Sequence, residues 1–124
     1  MQEAEEIAIV RASYRAFVDK DRAAIEALIA EDFHFTSPVE NFIDRATYFR
    51  VCWPGSAAIA EFNIVHIAAE GGTVFVTYEA KDSRGGRFRN TEVLTVRDKK
   101  IVEVEVYFGW SIPHPAPVGS FARS

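Results

Sequence analysis

After Gly55 the apolar residues change their spacing, and this change limits what the chain can fold into more than any other feature. Before it they recur at steps of three and four; after it they alternate. The first spacing stacks side chains on one stripe of a helix, the second on one face of a strand. Ile7, Val10, Tyr14, Phe17 and Val18 define a first helix ending near Lys20. Asp21 can cap a second helix, whose Ile25, Leu28 and Ile29 form the buried stripe. The two make a hairpin. Phe33 to Ser37 alternates as a short strand stopped by Pro38, and Asp44 can cap a third helix carrying Tyr48, Phe49, Cys52 and Trp53 before Pro54.

The alternating half divides into four strands: Phe62 to Glu70, Val74 to Asp82, Phe88 to Arg97 and Ile101 to Trp110. Their connections are Gly71-Gly72, Arg84-Gly85-Gly86 and Asp98-Lys99-Lys100. Strands so close in sequence form an antiparallel meander, and helices covering one of its faces make an α+β domain. We assign residues 1–110 to this single domain and residues 111–124 to a tail. Pro113, Pro115 and Pro117 exclude helix and sheet from the tail, so it is expected to run extended over the surface. It reads as a passive tail, with covering a pocket mouth or reaching a partner chain as its other roles.

Register decides which side chains share a face, because a slip of one residue turns every one of them over. In the last hairpin a three-residue loop at Asp98 to Lys100 pairs Val96 with Val102, Leu94 with Val104, Glu92 with Val106 and Asn90 with Phe108. The other face then carries Thr91, Val93, Thr95 and Arg97 against Tyr107, Glu105, Glu103 and Ile101. A two-residue loop mixes apolar with charged residues on both faces and is rejected. The same test on the preceding hairpin places Tyr78 opposite Glu92, or opposite Asn90 after a shift of two. Either way Tyr78, Asn90 and Glu92 gather on an apolar surface that the helices must cover.

A carboxylate in such a place loses hydration at a cost of several kcal/mol unless it is neutralised or hydrogen-bonded, so its pKa is expected to rise. A buried, protonated Glu92 can donate to a carbonyl or oxyanion, or serve as general acid. Its plainer reading is an ion pair with an arginine or a structural bond to Tyr78. The ten Phe, four Tyr and two Trp of the chain suit a cavity as well as a core. Phe35, Trp53, Phe62 and Phe108 are its expected walls, with Tyr14 assisting the polar cluster.

Other functions are disfavoured. The formal charge is −4, and only Arg84, Arg87 and Arg89 lie close together, which gives no basic face for nucleic acid. No run approaches the length of a membrane span, and the acidic MQEAEE start is unlike a signal peptide, so a cytoplasmic location is expected. His34, His66 and His114 lack the spacing that puts two ligands on one metal, so no metal site is expected. Cys52 cannot form an internal disulfide and, without a nearby base, behaves as a small hydrophobe. Ser37 has no nucleophile elbow around it.

The order of elements, with Tyr14…Asp21, Ala30-Glu-Asp-Phe-His-Phe-Thr-Ser-Pro38, Arg89-Asn-Thr-Glu92 and Lys100-Ile-Val-Glu-Val-Glu-Val-Tyr-Phe-Gly109, resembles the nuclear transport factor 2-like superfamily. Within it the chain is most similar to the SnoaL-like polyketide cyclase and ketosteroid isomerase branch. The resemblance implies a cone of three N-terminal helices packed on a curved, mostly antiparallel sheet, with an internal apolar pocket, often in a homodimer paired through the outer sheet face. It implies that Glu92 falls where the isomerases carry the protonated acid of the oxyanion hole, and Tyr14 within one position of their oxyanion tyrosine. Ser37 stands where they keep an aspartate base, and a serine cannot shuttle a proton between carbons. Lys99 departs from the usual glycine of that turn and is expected to carry a small strain.

Two functions follow as expectations. One is cofactor-free acid–base catalysis on a small, mostly apolar molecule bearing a carbonyl or hydroxyl: isomerisation, cyclisation, dehydration or hydrolysis. Glu92, Tyr14 and Tyr78 would be the catalytic groups, and Asn90, Ser37, Phe35, Trp53, Phe62 and Phe108 would contact the substrate. The other is a non-catalytic binding protein or dimerising module.

Overall fold

The computed structural model describes residues 2–122. Helix α1 (Gln2–Val18) leads to α2 (Arg22–Leu28), strand β1 (Ile29–Thr36), the short β2 (Ile43–Asp44) and α3 (Arg45–Val51). A 3-10 turn over Trp53–Ala58 follows, then β3 (Ile59–Glu70), β4 (Thr73–Asp82), β5 (Arg87–Arg97) and β6 (Lys100–Ile112). The strands form one curved, unclosed sheet in the order β2-β1-β6-β5-β4-β3, and the helices pack against it, an α+β fold.

The helices begin where carboxylates can cap them. Asp21 accepts from the Ala24 amide at 3.1 Å and Asp44 from the Thr47 amide at 2.9 Å, satisfying orphan N–H groups of α2 and α3. Asp44 is held below the usual carboxylate range mainly by that bond. The stripe of α1 seats Val10 and Tyr14 against the sheet, where Val74 and Val76 of β4 are fully buried.

Several element ends differ from expectation: β1 starts at Ile29 and not Phe33 and ends at Thr36, and β3 starts at Ile59 and not Phe62. Ile29 opens β1 instead of closing α2: its backbone is extended (φ −105°, ψ 147°), as suits a β-branched residue, and it stays buried. Helix α3 stops at Val51, because Pro54 lacks an amide proton and turns the preceding residue out of the helix, so Trp53 starts the 3-10 turn. Strand β6 also runs two residues beyond Trp110, pairing Ser111 with Phe88 and Ile112 with Arg87, so the irregular tail starts at Pro113.

The last hairpin corrects the register argument. Its turn has two residues, Asp98 and Lys99, both left-handed (φ 52° and 66°), and it pairs Arg97 with Lys100 and Val96 with Ile101. Such a turn matches the twist of the flanking strands, which a three-residue loop does not need to do. Ile101 therefore faces inward and is almost fully buried, not outward beside Arg97. Val102 is then the extra residue of a bulge, and beyond it the pairing is Leu94–Val104, Glu92–Val106 and Asn90–Phe108. The bulge cancels the mixing of faces for which the shorter loop was rejected.

A second bulge lies at Gly109, between the Asn90–Phe108 and Arg89–Trp110 pairs. Two irregularities in β3, at Ala60 and Val65, bend the other side of the sheet. On β4 and β5, Tyr78 pairs with Asn90 and Val76 with Glu92, the shifted one of the two registers considered. That hairpin is closed by Asp82, whose Oδ1 accepts from the amides of Arg84 at 2.9 Å and Gly86 at 2.8 Å.

Candidate functional site

Between the helices and the concave face of the sheet lies a cavity of about 380 Å³. Alternation along β1 turns Phe33, Phe35 and Ser37 into it, while His34 lies off its lining and stacks flat on Phe42 at 3.8 Å. Phe62 and Phe108 also line it, the latter at the rim with 59% of its surface exposed. Trp53 does not line it. Because the chain leaves α3 before this residue, its ring packs edge-on against Phe17 at 5.5 Å and on Phe49 at 6.2 Å.

The polar cluster is continuous. Tyr14 donates from α1 to Glu92 Oε1 at 2.8 Å, and Tyr78 donates from β4 to Oε2 at 2.8 Å. The Asn90 amide donates to the Tyr78 hydroxyl at 3.3 Å, and the Gly109 amide fixes Asn90 Oδ1 at 3.2 Å. Tyr14, Tyr78 and Asn90 are buried, and the Phe62 ring packs edge-on against both tyrosines at 5.1 and 4.9 Å. The bulge at Gly109 thus serves the site: the extra residue brings an amide to the Asn90 side chain.

Among the described residues lining the cavity there is no arginine, lysine or histidine, so no cation neutralises Glu92. Burial raises the Glu92 pKa, and the hydrogen bonds from Tyr78 and Tyr14 oppose that rise without cancelling it. Burial, then the neighbouring Glu92 charge, also holds the Tyr14 and Tyr78 hydroxyls protonated far above their ordinary range. Counting protons shows what this permits. If Glu92 is ionised, both tyrosine hydroxyls are consumed within the cluster. If it is protonated, three O–H groups share the cluster and one remains to donate to a guest.

Several lining residues were not expected in the site from the sequence, among them Tyr48, Phe88 and Glu40. Tyr48 on α3 is buried, and its hydroxyl is raised by burial and by Glu92. Phe88 of β5 adds a wall. Glu40 lies on the β1–β2 loop, where the Ser37 hydroxyl donates to its Oε1 and in turn accepts the amides of Val39 at 3.1 Å and Glu40 at 3.2 Å. The signal was the spacing Ser37-Pro-Val-Glu40, in which a hydroxyl and a carboxylate three residues apart bond each other locally. Cys52 faces the same side, and its thiol is pushed up to about 11 by burial and then by Glu40, so it is a thiol and not a nucleophile at neutral pH.

Among the described residues no group of three or more His, Cys, Asp or Glu is placed to hold a metal ion. No helix among them is long and apolar enough to cross a membrane.

The fold, a curved sheet of this order packed against helices, is shared with solved proteins described as NTF2-like. The family model described as SnoaL-like domain matches residues 10–104, and the chain belongs to that family. An epoxide hydrolase of M. tuberculosis described as LEH-like is similar at 22% identity and a TM-score of 0.75, over 88% of this chain and 86% of its own. A candidate ketosteroid isomerase from Kribbella flavida DSM 17836 aligns over 100% of this chain and 92% of its own, at 17% identity and a TM-score of 0.77. A candidate polyketide cyclase from Sinorhizobium meliloti aligns over 80% and 93%, at 18% identity and a TM-score of 0.70. At these identities the likeness is one of fold. No functionally curated protein matches the sequence.

Proposed function

We propose that the cavity binds a small, mostly apolar molecule through a carbonyl or hydroxyl oxygen held by Glu92, Tyr14 and Tyr78, and that these groups supply cofactor-free acid–base catalysis. The observation that carries this reading is Glu92 itself: a carboxyl with a raised pKa, no cation beside it, and a tyrosine on each oxygen inside an apolar cavity. A neutral acid in that position donates to oxygen as negative charge develops on it. Asn90 orients Tyr78, and Phe35, Phe62 and Phe108 supply apolar walls. The folds shared with an epoxide hydrolase and candidate isomerase and cyclase proteins support a reaction in the same broad class.

The test is a ligand that carries its own acidic oxygen. 2-Naphthol is expected to bind wild-type protein, with its fluorescence shifted, and to lose at least about tenfold in affinity in Glu92→Gln or Tyr78→Phe, one lost hydrogen bond's worth. Wild-type protein that ignores 2-naphthol, or variants that bind it equally well, would overturn the reading. The second reading, binding without turnover, is favoured by Ser37, whose hydroxyl is already committed to Glu40 and is no base.

We further propose that two copies pair through the outer sheet face, which exposes Phe75 on β4 and Tyr107 on β6 at 43% and 54% of their surfaces.

A further inference from the structure

Among the described residues that line the cavity, the hydroxyl groups are those of Ser13, Tyr14, Ser37, Tyr48 and Tyr78. All but one are spent inside the protein. Ser13 donates to the Val10 carbonyl at 2.6 Å, Tyr14 and Tyr78 donate to Glu92, and Ser37 donates to Glu40. The exception is Tyr48, 8% exposed, whose hydroxyl has no hydrogen-bond partner among the described residues. The sealed polar atoms without a partner among those residues belong to Glu6, Arg45 and Arg89. The Tyr48 oxygen is unpaired and is not one of them, so it is open, and the space that its side chain lines is the cavity.

Its place in the fold is away from the acid cluster. Helix α3 lies against β1 and β2, and the Tyr48 ring packs on Phe33 and Phe35 of β1 at 5.2 and 5.3 Å and on Phe49 at 5.4 Å. Three rings therefore fix the direction of the phenol. Tyr14, Tyr78 and Glu92 stand on α1, β4 and β5, and β6 separates those strands from β1. The lining that β6 contributes between the two places includes Ile101, Val104 and Val106, which are apolar. Burial, then the Glu92 charge, keeps the Tyr48 hydroxyl protonated, so it has a proton to donate at neutral pH.

From this arrangement we infer that Tyr48 is a second anchor of the cavity and a determinant of its specificity, donating to an acceptor oxygen that the guest carries away from the acid cluster. The inference rests on the oxygen-binding reading of Glu92 and narrows the ligand class to small, mostly apolar molecules with two oxygens set apart on one framework. An apolar guest with a single oxygen covers the Tyr48 hydroxyl and leaves it unpaired. A buried donor without an acceptor is costly, so the second oxygen is selected by what its absence loses.

The experiment titrates 6-methoxy- and 7-methoxy-2-naphthol against 6-ethyl- and 7-ethyl-2-naphthol, which replace the ether oxygen by a methylene at nearly the same volume. Fluorescence reads binding, and 2-naphthol is measured on the same samples. Wild-type protein should bind at least one methoxy compound about fivefold or more tighter than its ethyl counterpart, the worth of one neutral hydrogen bond. Tyr48→Phe should abolish or reverse that preference while still binding 2-naphthol, which shows that the variant is folded. Glu92→Gln should weaken both members of the pair alike and keep their ratio. Wild-type protein that binds 2-naphthol but shows no preference in either pair overturns the assignment of Tyr48, and that comparison needs no variant. A preference that survives in Tyr48→Phe overturns it too. Failure of wild-type protein to bind 2-naphthol overturns the oxygen site at Glu92, and the second anchor with it.

Discussion

Tyr14 and Glu92 stand 78 residues apart in the chain, yet the tyrosine hydroxyl meets the carboxyl oxygen at 2.8 Å, joining the first helix to the fifth strand through a half-buried acid. The stability of the fold is thereby tied to pH. Burial raises the Glu92 pKa in the folded state from 4.5, the ordinary value that the unfolded chain keeps. Below that value both states are neutral at this residue, and the stabilising effect of the bound proton is complete. As pH rises the unfolded state ionises first, and stability falls until the folded-state pKa is passed, at up to about 1.4 kcal/mol per pH unit. Urea unfolding of wild type and Glu92→Gln across this range is expected to show a decline in the wild type that the glutamine variant lacks. Parallel curves would contradict the assigned burial.

The two tyrosines act on the same proton. Their hydrogen bonds favour the ionised carboxylate and partly offset the effect of burial. Tyr14→Phe and Tyr78→Phe should each move the Glu92 titration to still higher pH, followed by the carboxyl infrared band. Each should also cost about 1–3 kcal/mol of stability, since a buried acceptor loses its donor.

Gly109 cannot be replaced cheaply. A Cβ there would overlap the Arg89 carbonyl oxygen and lie 3.1 Å from its carbon, and both are backbone atoms that cannot swing aside. Gly109→Ala is expected to lose roughly 3 kcal/mol and, by moving the amide that holds Asn90 Oδ1, to weaken 2-naphthol binding as well. Thermal unfolding and the fluorescence titration together check both effects.

At Lys99 the expectation runs the other way. Its left-handed backbone (φ 66°) costs an ordinary residue about 1 kcal/mol that glycine does not lose, so Lys99→Gly should raise the midpoint of thermal unfolding. The residue is exposed, so no packing is sacrificed.

The proposed pairing of sheets is checked by sedimentation. Wild type should run as a dimer at micromolar concentration, and Phe75→Glu, which puts a charge on the outer face of β4, as a monomer with an unchanged circular dichroism spectrum. A monomeric wild type would remove the proposal.

Periodicity made most of the architecture legible, because the stripe Val10-Tyr14-Phe17 and the alternation around Val74, Val76 and Tyr78 are dictated by the faces they bury. The grouping of Tyr78, Asn90 and Glu92 was readable for the same reason, since pairing across short hairpins fixes neighbours on one face. What escaped was set by the backbone. Val102 and Gly109 are bulges with little local signature, and an inserted residue changes the face of all that follow. Trp53 was misplaced because periodicity was carried past Val51, where the approach of Pro54 ends the helix. Glu40 was overlooked because a six-residue excursion between β1 and β2 has no period, and its Ser37 partner is a purely local contact.

Strand β1 lies parallel to β6, with Phe35 beside Val104, so the wall that bears Phe33 and Phe35 is attached to the last strand of the sheet. The hairpins from β3 to β6 join neighbours in the chain and close quickly, whereas this seam must wait for a distant partner. During synthesis on a ribosome, α1 can dock on β3 and β4 as they appear, but the parallel seam of β1 has no partner until β6 has emerged. The chamber around Glu92 is the last thing the nascent chain completes.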